Sequence, residues 1–180
     1  MTLRTLRIAA AALLVSGSAG IAQDMPFGTE VEIDYAGDLW SVMEENDLVG
    51  ADAPVIFPYD GQVPHGMKLS TVYTEATVNG HTGTLVVKNN YGPEGVTAQQ
   101  VITEPEKHLG AVTIMFKRED GYDPDNANWF WAKYLPDGSL DKNPKGMELA
   151  GRVAKGMNAG CIACHQGAGG GDYLFTVDGL

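Results

Sequence analysis

Two β-rich runs joined by Asn79-Gly80 constrain the fold of this chain more than any other feature of it. Residues 69–78 and 81–88 are dense in β-branched side chains, and an Asn-Gly dipeptide supplies the two positive-φ positions of a type I′ turn. The pair predicts an antiparallel hairpin and argues against a helical bundle. Further near-alternating runs at 96–102, 110–118 and 129–135 bring the expectation to about five strands, the last ending at Pro136-Asp137-Gly138. In the second of these runs Val112, Ile114 and Phe116 share one face, the buried one.

Helical periodicity is confined to the flanks. Leu39, Val42 and Met43 recur at helical spacing within residues 34–46, with Asp34 as the expected N-cap. Past Asn143-Pro144, the residues Met147, Ala150, Ala154, Met157, Cys161 and Cys164 recur at helical steps and predict a C-terminal helix broken by its glycines. Residues 53–65, with Pro54, Pro58 and Pro64, read as a loop. The acids Glu119, Asp120, Asp123 and Asp125 read as a solvated turn, because Ala127 breaks the calcium-loop pattern. The expected class is α+β, mainly an antiparallel β-meander with flanking helices against one face, and a C-terminal helical segment that delivers the cysteines.

Residues 1–22 read as a cleaved secretory signal peptide. Arg4 and Arg7 precede the apolar stretch 8–15, and Gly20 and Ala22 stand at the small-residue positions of a cleavage site. That stretch is far shorter than the roughly 20 residues that cross a bilayer. The expected single domain is residues 23–180, periplasmic and free of the membrane. The chain carries 12 basic and 23 acidic residues, a net charge of -11, and losing Arg4 and Arg7 makes it more negative still. Attraction to nucleic acid would have the wrong sign.

The chemistry is concentrated in Cys161-Ile162-Ala163-Cys164-His165, a C-x-x-C-H sequence. This is the attachment signal of c-type haem: two thiols on successive helical turns add to the two vinyl groups of one porphyrin, and the adjacent imidazole binds the iron. A disulfide, a thioredoxin-like pair and half of a zinc site are the competing readings. Zinc would need further ligands and no second C-x-x-C is present; a thioredoxin-like pair belongs at a strand-to-helix start in a βαβ unit. One covalent haem c, with His165 as proximal iron ligand, is the expectation.

No methionine or histidine follows His165, so a sixth iron ligand would have to come from upstream, chiefly from Met115, Met147, Met157, His65, His81 or His108. Helical packing accounts for Met147 and Met157, and the three upstream histidines stand in polar or turn-like sequence where exposure is the default. The sixth position is therefore expected to be vacant. A vacant iron binds and exchanges electrons with small molecules, whereas a saturated one relays electrons.

The stretch 161–166, followed by Asp172-Tyr173-Leu174-Phe175-Thr176 and preceded by Trp129-Phe130-Trp131-Ala132, resembles the C-terminal half of the cytochrome P460 family, most clearly over residues 84–177. The resemblance implies an exported, mainly β, homodimeric protein around one c-haem with an open distal side. P460 members proper oxidise hydroxylamine with a haem linked to a lysine that lies on a strand after a Pro-Asp-Gly turn. Laying Pro93-Glu94-Gly95 over that turn puts Gln100 at the lysine's place, and an amide cannot supply the nucleophilic amine. Lys88, Lys107 and Lys117 are the fallbacks, each otherwise a solvated charge. With Gln100 there, the chain resembles the related β-type cytochromes c′, which bind nitric oxide and carbon monoxide; Phe116, Trp129, Phe130 and Trp131 are candidates to roof such a pocket.

Three functions stay open: oxidation of hydroxylamine or nitric oxide at the iron with electrons passed to a periplasmic partner cytochrome, capture of a diatomic ligand without turnover, and electron transfer by a six-coordinate haem.

Overall fold

The computed structural model describes residues 26–175. The expected signal segment, residues 1–22, lies outside them. The core is a six-stranded antiparallel sheet whose spatial order is its chain order: β1 (Tyr59–Asp60), β2 (Lys68–Val78), β3 (His81–Tyr91), β4 (Leu109–Lys117), β5 (Trp129–Tyr134) and β6 (Ala150–Gly151). The β2–β3 hairpin turns where expected, with Asn79 at φ 51° and Gly80 at φ 81°. Two-residue strands lie at both edges; β1 pairs only with Lys68 and Leu69, so the outer edge of β2 from Ser70 to Val78 has no strand partner among the described residues.

Both faces of the central strands are covered, which is why their alternation is blurred by apolar residues on each side. On one face Leu85, Val87, Val112, Ile114, Phe116, Phe130 and Tyr134 pack against helix α1 (Glu30–Glu45) through Tyr35, Ala36, Leu39 and Met43. The Tyr134 hydroxyl donates to the Ala36 carbonyl at 2.9 Å inside that contact. On the other face Val86, Met115, Trp129 and Trp131 meet Phe27, Val153 and Ile162. Helical structure thus lies on both sides of the sheet, where the sequence suggested one. No helix among the described residues is long and apolar enough to cross a membrane.

Three local expectations are corrected. Helix α1 starts four residues before Asp34: Thr29 caps it, its side chain accepting from Glu32 N at 3.4 Å, and Thr29-x-x-Glu32 is itself a capping signature. Residues 96–102 are not a strand. They hold helix α2 (Ala98–Thr103), opened by a capping box in which Thr97 and Gln100 exchange hydrogen bonds, and the short α3 (Pro105–His108) follows. The long C-terminal helix reduces to α4 (Cys161–His165), because Gly146, Gly151, Gly156 and Gly160 all take positive φ, which no helix accommodates. Met147, Ala150, Ala154 and Met157 therefore form no helical stripe.

Candidate functional site

The second face of the sheet ends in a cavity of about 350 Å³ between β3, β4, β5 and α4, within the range of roughly 300–1,000 Å³ usual for cofactor sites. Strand register builds its floor in two rows. Val86, Met115 and Trp131 are cross-strand neighbours and make an apolar row; Lys88, Thr113 and Lys133 are the next neighbours on the same face and make a polar one.

Helix α4 closes the cavity with Cys161, Cys164 and His165 all on its wall. Gly160, at φ 124°, begins it; a Cβ there would stand 2.3 Å from the Ala154 Cβ, so only glycine permits this entry angle. Both cysteines are free thiols, and burial pushes that of Cys161 up to about 11. His165 is buried, with Trp131 4.9 Å and Phe175 5.2 Å away between ring centres. Burial lowers its pKa, and its Nδ1 donates to the Tyr173 carbonyl at 2.7 Å. That bond fixes the tautomer and leaves Nε2 with its lone pair, the arrangement of a metal-binding imidazole.

The Tyr173 carbonyl is itself held in place. Tyr173 adopts a left-handed backbone (φ 67°), its hydroxyl donates to Asp125 O at 3.2 Å and Asn126 Oδ1 at 3.3 Å, and the preceding Asp172 carbonyl accepts from Trp129 Nε1 at 2.9 Å. Asn126 Oδ1 also accepts from Gln166, and its amide donates to Asp123 Oδ2 at 2.8 Å. Asp123 is fully buried and paired with Lys155. Glu119, Asp120 and Asp125 are exposed, as expected of a solvated turn, but Asp123 and Asn126 in the same segment are buried and form the strut behind His165, a role no composition rule reveals because it depends on what docks against the loop.

The other expected residues divide sharply. Gln100 does not reach the cavity: it is exposed on α2, where its side-chain oxygen accepts from Thr97 N at 2.9 Å. Lys107 pairs with Glu104 at the surface, and Lys117 lies over the Trp129 ring. Lys88, expected to be a solvated charge, lines the cavity, and burial pulls its pKa below the ordinary lysine value, with no carboxylate acting on it among the described residues. Lys133 lines it too but is paired with Asp141 at 2.8 Å. Of the aromatic candidates Trp131 alone lines the cavity; Phe116 and Phe130 face α1, and Trp129 is tied to Asp172. Among the upstream ligand candidates His65, Met115 and Met157 line it. His81 instead contacts the Lys117 carbonyl, and His108 that of Gly92. Burial pushes the His65 imidazole down to about 4.

These residues fit a haem. An apolar floor with a row of polar side chains, Lys88, Thr113 and Lys133, along one side matches a flat apolar ring that carries carboxylates on one edge. Trp131, 3% exposed, has an indole N–H without a partner among the described residues, an orphan donor that a bound group would satisfy. The donor set, two thiols and one imidazole on a single helical turn and a half, is that of covalent haem attachment.

The family model described as Cytochrome P460 matches residues 67–176, a span that contains β2 to β5, the cavity floor and α4. No curated protein and no solved structure matches the chain significantly. Since the family model covers more than half of the sequence, the chain belongs to the cytochrome P460 family and takes a haem cofactor.

Proposed function

We propose that this chain is an exported mono-haem c-type cytochrome in which Cys161 and Cys164 hold the porphyrin by thioether bonds and His165 Nε2 binds the iron. On this reading the haem held by these three residues would supply the oxidation of small nitrogen compounds, hydroxylamine foremost, with a periplasmic partner cytochrome as the electron acceptor. When bound, the haem supplies the redox chemistry. The protein supplies an oriented imidazole, through Tyr173 and the strut behind it, and an apolar floor that excludes water.

The observation that carries the reading is Lys88. Gln100 was the reason to expect no lysine-haem link, and Gln100 is engaged at the start of α2. Lys88 stands on the cavity wall, after the hairpin turn on the return strand, as an amine whose burial favours the neutral, nucleophilic form. Lys88 is therefore the residue proposed to carry the family's lysine-haem link, and with that link would come the hydroxylamine-oxidising chemistry of the members that have it. A non-catalytic binder of nitric oxide or carbon monoxide, of the β-type cytochrome c′ kind, is the second reading; the apolar row Val86, Met115 and Trp131 favours uncharged ligands and supports it.

Mass spectrometry of a digest of the holoprotein separates them. A haem-bearing peptide containing Cys161 and Cys164, joined also to the peptide containing Lys88, is the expected product, and Lys88→Arg should leave the thioethers intact while abolishing both the extra linkage and hydroxylamine-dependent reduction of an acceptor dye. Thioethers without a Lys88 linkage would leave the diatomic-binding reading; a Cys161–Cys164 disulfide would remove both. Homodimerisation, carried by the family resemblance, is checked by sedimentation of the same sample.

A further inference from the structure

His65 reaches the cavity from the loop between β1 and β2, and its ring centre stands 6.2 Å from that of His165 with the planes 80° apart. The hydrogen-bond network around it fixes its tautomer. Asn90 Nδ2 is 3.2 Å from the Lys88 carbonyl, 3.3 Å from the Ala111 carbonyl and 3.1 Å from Thr113 Oγ1. Carbonyls only accept, so this end of the amide is the nitrogen and the other end, facing His65, is the oxygen. Asn90 Oδ1 in turn only accepts, so His65 Nδ1 carries the proton and donates to it at 3.1 Å. The lone pair is left on Nε2.

His165 is set in the same way, by donation from Nδ1 to the Tyr173 carbonyl. Two imidazoles, each anchored through Nδ1 and each with a bare Nε2, therefore share one cavity. A metal bonds imidazole nitrogen at about 2 Å. With each ring centre about 1.2 Å behind its nitrogen, two imidazoles on opposite sides of one iron have centres roughly 6.4 Å apart, close to the separation seen here. Rotation about the shared axis is free, so perpendicular planes are compatible with it.

We infer that His65 Nε2 is the resting sixth ligand of the haem iron and that small ligands enter by displacing it. This rests on the haem-binding reading above and deepens it: the position expected from the sequence to be vacant is closed at rest and opens to ligand. The other candidates named from the sequence are placed less well: Met147 does not line the cavity. Met115 is packed between Val86 and Trp131 in the apolar row, Met157 is 55% exposed, and His81 and His108 are turned to backbone carbonyls elsewhere. Displacement would move the loop that carries His65, whose preceding residues Gln62, Val63 and Pro64 are exposed.

The test uses purified ferric holoprotein, with haem attachment at Cys161 and Cys164 verified by mass in each variant. Wild type should show a low-spin six-coordinate absorption and electron paramagnetic resonance spectrum, His65→Ala a high-spin one, and added imidazole should return the variant to low spin. Ferrous His65→Ala should bind carbon monoxide with an apparent affinity about ten-fold or more above wild type, since the competing side chain is gone. If His65→Ala fails to mature, His65→Gln, which can keep the bond to Asn90, carries the same expectations. High-spin wild-type iron, or a low-spin spectrum unchanged in the variant, overturns this inference and leaves the haem reading standing. A colourless chain without thioethers overturns the haem reading and this inference with it.

Discussion

Glu32 is a carboxyl group that the fold buries on the α1 side of the sheet, 7% exposed, with the Tyr122 hydroxyl donating to it at 2.9 Å and Arg152 Nε 3.9 Å away. Burial raises its pKa above the ordinary 4.5, and the Tyr122 bond and the arginines offset only part of this. The folded state therefore holds the Glu32 proton more tightly than the unfolded chain. Its contribution to stability is complete below pH 4.5 and is lost as pH rises through the higher folded value. Glu32→Gln, which keeps an acceptor for Tyr122, should make the fall in urea midpoint between pH 4.5 and 7 shallower than in wild type; an unchanged difference between the two across that range would refute the assignment. At this scale the chain was legible where chemistry is written in contiguous residues, as in Cys161, Cys164 and His165. It was illegible where a residue's place in the cavity depends on strand register, as for Lys88, or where the partner is a backbone carbonyl, as for Tyr173, because every residue has one.

Among the elements, α4 depends on a single backbone position. Gly160 combines φ 124° with a close approach to Ala154, and it positions the turn from which both thiols and His165 project. Gly160→Ala should cost about 1–3 kcal/mol of stability and reduce the fraction of chain that carries haem, read as the ratio of haem absorption to protein after expression in a haem-maturing host; full haem loading with unchanged stability would count against this role. The hairpin at Asn79-Gly80 and strands β4 and β5 were readable because turn chemistry and alternation agree there. Residues 96–102 misled because alternation and the Thr97-x-x-Gln100 capping signature compete, and the cap won. The C-terminal run misled because small and apolar residues happen to recur at helical steps while the intervening glycines forbid the helix.

For the molecule as a whole, the sheet separates two tasks: α1 and one face make an apolar core, and the other face holds the cavity. The α+β class was visible in the sequence, whereas the placement of helices on opposite faces was not, since no local pattern says which side a connecting segment crosses to. The net charge of -11 gives the surface a field that attracts basic partners and weakens beyond a Debye length of about 8 Å at physiological salt. Electron exchange with a basic cytochrome should therefore slow steadily as ionic strength is raised from low values in stopped-flow mixing; a rate indifferent to salt would exclude electrostatic steering.

Because the strands lie side by side in the order in which they are made, each can dock onto its predecessor without waiting for distant sequence. Val86, Lys88, Met115 and Trp131 all precede Cys161 along the polypeptide. The turn that bears Cys161, Cys164 and His165 thus docks onto a surface that earlier sequence has already laid down.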